Sequence, residues 1–100
     1  MVYAFILDVP IDEATYRRVM DEIGPEPMPG ALLHLCVRRP EGGLRYIDVW
    51  ESEQAHHTAL SERIAPAVDA VLGRRPSDVA PSHAPLEVIH ATGALLAGAT

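Results

Sequence analysis

The chain has 100 residues, of which 48% are hydrophobic and 22% charged, a composition typical of one globular domain spanning residues 1–100. Its formal net charge of −6 argues against nucleic acid or an anionic membrane as a partner, because both attract clustered basic residues. Cys36 is the only cysteine, which excludes an internal disulfide, and no signal peptide or membrane-spanning stretch is recognisable, so we expect a cytoplasmic protein.

The first predicted elements are a strand and a helix. Residues 2–8 form a continuous apolar run, which is typical of a central strand in a sheet. Asp12 stands where a helix N-cap is expected, and the apolar residues after it recur at helical spacing. Gly24 ends that helix, and the proline-rich segment 25–30 predicts a loop.

Two alternating segments, 31–37 and 44–50, predict a pair of strands joined by a turn at 38–43. Because side chains alternate, one face of the first strand carries Leu32, His34 and Cys36. One face of the second carries Tyr46, Asp48 and Trp50. Antiparallel pairing places His34 opposite either Asp48 or Tyr46, depending on the register.

Ser52 has the position of an N-cap for a second helix, whose apolar residues continue to Leu72. Pro66 lies inside this pattern and predicts a kink, or two shorter helices with the proline in the first turn of the second. Residues 73–85 are rich in proline and predict a loop, and residues 86–92 predict a fourth strand that carries His90. The tail 93–100 is expected to fray unless a partner chain holds it.

The order β-α-β-β-α-β predicts a ferredoxin-like α+β fold with helices on one face of a four-stranded antiparallel sheet. We expect the helices to cover the aliphatic face that includes Ile47 and Val49. The opposite face, with Leu32, Cys36, Tyr46 and Trp50, would then be bare. A second copy of the chain would cover this apolar patch, which predicts a homodimer that encloses a cavity.

The element order and the stretch Arg45-Tyr46-Ile47-Asp48-Val49-Trp50-Glu51-Ser52 resemble the dimeric α+β barrel superfamily. Within it, the chain is most similar to small stand-alone proteins of the antibiotic biosynthesis monooxygenase group. The resemblance implies cofactor-independent oxidation of an aromatic or polyketide-like substrate, while related proteins are isomerases, cyclases or haem-degrading enzymes. Haem degradation is disfavoured, because those members use an asparagine and this sequence contains none.

His34 and Asp48 form the strongest candidate catalytic pair, since a carboxylate-supported imidazole in an apolar cavity can act as a general base. The alternative is a structural hydrogen bond that satisfies buried polar groups. Tyr46 and Trp50 are candidate substrate walls, or else residues of the dimer interface. Leu32 and Cys36 would complete the substrate-binding surface.

Four further histidines are weaker candidates. His90 is a second acid–base candidate if its face lines the cavity, and otherwise a packed histidine of the core. The adjacent pair His56 and His57 is expected to be solvated, and His83 lies in a loop whose spacing is not specific. No metal-ligand or phosphate-loop motif occurs, so we expect neither a metal nor an organic cofactor. A ligand-binding dimer without catalytic activity remains the alternative to an enzyme.

Overall fold

The computed structural model describes residues 2–73 and 82–93, without the side chains of Ser82 and His83. Its elements are β1 Tyr3–Val9, α1 Glu13–Ile23, β2 Ala31–Arg38, β3 Leu44–Trp50, α2 Glu53–Ala59, α3 Ala65–Leu72 and β4 Ser82–Leu86. The four strands form an antiparallel sheet in the order β2-β3-β1-β4. The predicted ferredoxin-like α+β fold is therefore confirmed.

Both predicted helix N-caps are present. The Asp12 side chain accepts a hydrogen bond from the Thr15 backbone N–H at 2.8 Å, and the Ser52 hydroxyl accepts one from the Ala55 N–H at 3.1 Å. Each cap satisfies an N–H group that the first helical turn leaves without a partner. The two caps therefore fix where α1 and α2 begin.

The predicted interruption near Pro66 takes the form of a π-helical turn, Leu60–Ile64, which joins α2 to α3. The Ala65 N–H bonds the Leu60 carbonyl, five residues earlier, and Pro66 lies in the first turn of α3 as expected. The proline has no N–H to donate, and its ring would collide with the carbonyl four residues earlier in a regular helix. The wider turn accommodates this residue without ending the helix.

The position of the fourth strand differs from the prediction. It runs over Ser82–Leu86 and pairs with β1 alone, so it is an edge strand. Proline is tolerated at an edge because no second neighbour needs its N–H, and Pro85 therefore does not exclude this strand. His90, predicted on the strand, lies beyond it and is exposed. Residues 94–100 of the predicted tail lie outside the described residues.

The prediction of which sheet face the helices cover was wrong. Trp50, at 2% exposure, and Asp48, at 7%, are buried beneath the helices, and the core cluster joins Trp50 to Phe5 and Ala59. The uncovered face is the aliphatic one, where Leu33, Leu35 and Val37 are 37–45% exposed. Burial of the polar face is possible because Asp48 finds hydrogen-bond partners there.

The loop after α1 is held by Arg63, which lies in the π-helical turn. Its guanidinium donates to the carbonyls of Ile23 at 3.0 Å, Glu26 at 2.9 Å and Pro27 at 3.2 Å. These bonds satisfy carbonyl groups at the end of α1 and in the following loop. The same loop carries Met28, which packs against the core cluster. Within the described residues, the helices are too short or too polar to span a membrane.

Candidate functional site

A cavity of about 180 Å³ lies between the sheet and its own helices. Most of its wall is apolar and comes from β1, α1, the loop after α1, the π-helical turn and α3: Phe5, Leu7, Val19, Met20, Ile23, Met28, Leu60, Ile64 and Val68. The sheet and α2 add polar and aromatic groups: His34, Tyr46, Asp48, Trp50 and His56. An apolar chamber with a few convergent polar groups is the usual form of a small-molecule site.

A β-bulge places His34 on the cavity wall. Ala31 pairs with Trp50 but Leu33 pairs with Val49, so Leu32 is an extra residue on β2. From Leu33 onward the register is regular and His34 lies directly opposite Asp48, the first of the two predicted arrangements. The bulge also shifts the alternation of side chains by one residue, which is why Ala31 and His34, three residues apart, both line the cavity and Leu32 does not.

A chain of hydrogen bonds runs through the polar part of the wall. His34 Nδ1 lies 2.7 Å from Asp48 Oδ1, and Trp50 Nε1 donates to Asp48 Oδ2 at 3.2 Å. On its other side, His34 Nε2 lies 2.8 Å from the hydroxyl of Tyr16 on α1. The Asp48 carboxylate accepts both of its bonds, which is how a buried carboxylate is stabilised without a cation.

The carboxylate also determines which nitrogen of neutral His34 carries the proton. An ionised Asp48 can only accept, so Nδ1 is the protonated nitrogen and Nε2 has the lone pair. Tyr16 therefore donates its O–H to Nε2 in the neutral ring. The His34 side chain is 35% exposed, whereas Asp48 is almost fully enclosed. A proton accepted at Nε2 would create an imidazolium that the adjacent carboxylate stabilises.

Solved structures share this architecture. A protein of Chloroflexus aurantiacus that is described as an antibiotic biosynthesis monooxygenase matches with a TM-score of 0.68 and 19% sequence identity. The match covers 93% of this chain and 98% of the other. SnoaB, a cofactor-independent oxygenase from Streptomyces nogalater, matches with a TM-score of 0.59 and 16% identity, covering 90% and 94%. The chain has the antibiotic biosynthesis monooxygenase fold.

The same fold includes a haem-degrading protein. MhuD of Mycobacterium tuberculosis, solved with two haems in its active site, matches with a TM-score of 0.53 and 26% identity, covering 93% of this chain and all of the other. No protein-family model and no curated protein sequence matches the chain. One fold supports different reactions, so the antibiotic biosynthesis monooxygenase fold does not specify which reaction this chain catalyses. The reaction has to be inferred from the residues of the cavity.

His56 is a cavity residue that the sequence prediction missed. We expected it to be solvated, but it is half-buried on α2, with its ring centroid 4.6 Å from Phe5 and 5.2 Å from Trp50. Its position in the sequence could have indicated this, because His56 lies four residues before Leu60 and so extends the apolar face of the helix toward its N-terminus. Its neighbour His57 is exposed, as predicted, and lies 3.8 Å from Glu53.

The remaining predicted site residues lie outside the cavity. Cys36 is half-buried and borders a separate groove on the outer side of Tyr16, and His90 is exposed. The backbone of His83 lies in β4 opposite Leu7, instead of in the predicted loop. In residues 2–73 and 82–93, no cluster of His, Cys, Asp or Glu is placed to bind a metal ion.

The phenols around His34 are held in the neutral form. Burial, followed by the nearby Cys36, raises the pKa of Tyr16 to about 12. Burial also raises the pKa of Tyr46 strongly, with contributions from Cys36 and Tyr16. The Tyr46 ring packs 5.2 Å from His34 and 5.6 Å from Tyr16, measured between centroids. Both hydroxyls therefore retain their protons near neutral pH.

These raised pKa values predict loss of stability in alkali. Since the pKa of Tyr16 is higher in the folded state than the ordinary value of about 10, its stabilising effect is complete below about pH 10 and disappears as the pH rises toward 12. We expect the urea midpoint to fall over this interval, together with the appearance of tyrosinate absorbance. The double variant Tyr16→Phe, Tyr46→Phe should show a smaller decrease. Tyrosinate absorbance near pH 10 that the folded wild type shows and the folded double variant lacks would contradict this assignment.

Proposed function

We propose that the chain is a cofactor-independent enzyme that oxidises a compact phenol with dioxygen. His34 is the general base, Asp48 orients it, and Tyr46 and Trp50 form walls against the substrate ring. The observation that carries the proposal is the 2.7 Å contact between His34 Nδ1 and Asp48 Oδ1 on the wall of an apolar cavity. The fold shared with SnoaB, itself described as a cofactor-independent oxygenase, is consistent with this reaction.

The reaction begins when the substrate hydroxyl transfers its proton to His34 Nε2, leaving a phenolate. The phenolate gives one electron to O₂, and the resulting radical and superoxide combine to form a C–O bond at a ring carbon. The peroxide anion then takes the proton back from the His34 imidazolium, which gives a hydroperoxide and restores the base. Loss of water from the hydroperoxide then gives the quinone. One oxygen atom enters the product and the other leaves as water, so one O₂ is consumed per phenol and no external reductant is needed. The Asp48 carboxylate stabilises the imidazolium formed in the first step.

The size of the cavity limits the substrate. A protein cavity of about 150 Å³ binds benzene, and pockets for drug-sized ligands are about 300–1,000 Å³. At about 180 Å³, this cavity is suited to one ring or a small fused pair. A hydroxynaphthalene is therefore a better probe of this site than a four-ring polyketide or a haem.

We also propose that the working form is a homodimer, joined through the uncovered aliphatic face of the sheet. Leu33, Leu35 and Val37 on β2 and Leu86 on β4 present 37–45% of their surface there. β2 and β4 are the two edges of the sheet, and the half-buried Ile6 and Ile47 lie between them in the same row as Leu35. Contiguous apolar surface of this kind is rarely left open to water. A second copy, related by a twofold axis, would cover both faces at once.

The test of the proposed function is oxygen uptake with a 1-naphthol probe. We expect saturable uptake, with one O₂ consumed for each naphthoquinone formed. The control ligand is 1-methoxynaphthalene, which has the same rings but no proton to lose, and it should bind without uptake. Conversion of the naphthol without oxygen uptake would indicate isomerase or cyclase chemistry and reject the oxygenase. Saturable binding without any reaction would indicate a ligand-binding protein, and failure of naphthols to bind would reject the compact-phenol site.

A further inference from the structure

Both ring nitrogens of His34 are already engaged. Nδ1 lies 2.7 Å from Asp48 Oδ1, and Nε2 lies 2.8 Å from the Tyr16 hydroxyl. The neutral ring therefore has no lone pair to offer to a ligand in this arrangement. If His34 is the base, Tyr16 must first release Nε2.

Tyr16 approaches His34 from outside the cavity. It does not line the apolar chamber but borders the groove on the other side, which has a volume of about 200 Å³ and is also lined by Arg17, Cys36 and Arg38. Tyr16 is half-buried, and the groove offers space into which its ring can move. Cys36 borders the same groove and contributes to the raised pKa of Tyr16, so a second polar group lies near the Tyr16 hydroxyl on that side.

The Tyr16 side chain is itself a phenol that donates to His34 Nε2. Nε2 has one lone pair, which points at the Tyr16 hydroxyl. A phenolic ligand in the cavity would therefore make the same kind of bond only after Tyr16 has moved toward the groove and the ligand hydroxyl has taken its position. Exchange of one phenol O–H···N bond for another has little net cost, because the bond broken and the bond formed are alike. A ligand without a hydroxyl gains no such bond and cannot compensate for the loss of the Tyr16 contact.

We propose that Tyr16 is a specificity-determining gate, whose hydroxyl occupies Nε2 until a hydroxylated ligand replaces it. The gate makes entry to the catalytic position depend on a donor group in the ligand. It rests on the proposed function for its role in turnover, but its effect on ligand binding can be measured without any reaction. Tyr16 acts through His34 and is therefore a positioning residue.

The experiment compares the affinities of 1-naphthol and 1-methoxynaphthalene for the wild type and for Tyr16→Phe. Removal of the competing hydroxyl should raise the naphthol affinity roughly 2–10-fold, the equivalent of one ordinary hydrogen bond. The affinity for the methyl ether should stay unchanged. Tyr3→Phe makes the same chemical change at a residue that does not line the cavity and is the matched control, which should alter neither affinity.

The ratio of the two affinities separates a gate from a structural contact. Equal changes for both ligands, no change for either, or no naphthol binding by either protein would each overturn the gate. In turnover, Tyr16→Phe should lower KM for the naphthol and leave kcat unchanged. A collapse of kcat would instead show that Tyr16 relays the proton, and would also overturn the gate. If the wild type binds naphthol but consumes no oxygen, the oxygenase proposal fails. The affinity ratio of the two ligands still tests whether Tyr16 gates binding.

Discussion

Asp48→Asn should lower kcat for oxygen uptake by about 10²–10⁴-fold, an effect typical of losing a carboxylate that orients a catalytic histidine. The asparagine amide can donate to His34 Nδ1, which would move the ring proton to Nε2 and leave no acceptor for the substrate proton. It would also remove the charge that stabilises the imidazolium. The measurement is kcat together with the ¹⁵N shifts of the His34 ring, which report the tautomer directly.

Two comparisons separate this effect from misfolding. Asparagine has nearly the same shape as aspartate and can still accept the bond from Trp50 Nε1, which lies 3.2 Å from the present carboxylate. The variant should therefore remain folded and bind methoxynaphthalene as the wild type does. Glu51→Gln makes the same charge change at an exposed residue just after β3 and should leave kcat unchanged. If Asp48→Asn retains wild-type kcat, the His34–Asp48 pair is a structural contact.

Leu35→Glu should dissociate the proposed homodimer. Leu35 is 45% exposed near the middle of β2, in the row that also contains Leu33 and Val37. In a twofold interface the substitution occurs on both subunits, so two carboxylates would be buried without partners. We expect the dissociation constant to rise by about 10²-fold or more, because each unpaired charge costs several kcal/mol to desolvate.

Sedimentation of the wild type and of two variants tests this interface. Leu35→Met keeps the volume and apolar character of the side chain and should remain dimeric. Leu35→Glu should sediment as a monomer with an unchanged circular dichroism spectrum, since the residue already faces outward. A wild-type chain that is monomeric at all concentrations, or a Leu35→Glu chain that stays dimeric, would contradict the proposed interface.

Local rules explain why the element plan was predictable from sequence. The caps at Asp12 and Ser52 and the irregularity at Pro66 depend on short-range backbone chemistry, which the residue types specify. The His34–Asp48 contact could also be predicted as one of two arrangements, because a short hairpin turn permits few registers of the two strands. These features involve residues close together along the chain.

The features that were predicted wrongly or missed depend on contacts between elements that are distant along the chain. Alternation divides the side chains of a strand into two sets but does not say which set the helices cover, and Asp48 is buried only because partners from other positions satisfy it. Tyr16 reaches His34 from a helix 18 residues away along the chain. The displaced fourth strand has a similar cause, since only the strand order shows that Pro85 lies at an edge.

We propose above all that the space between the sheet and its own helices receives an aromatic ring. Met20 and Met28 both line this cavity, from α1 and from the loop after it. The direct measurement is a titration of ¹³C-methyl-methionine protein with 1-naphthol, with the signals assigned through Met20→Leu and Met28→Leu. We expect both methyl signals to move with the same saturation curve, because the ring current of a bound naphthol acts on both. Naphthol binding that leaves the Met20 and Met28 signals in place would show that the ligand binds elsewhere, and the cavity would then not be the binding site.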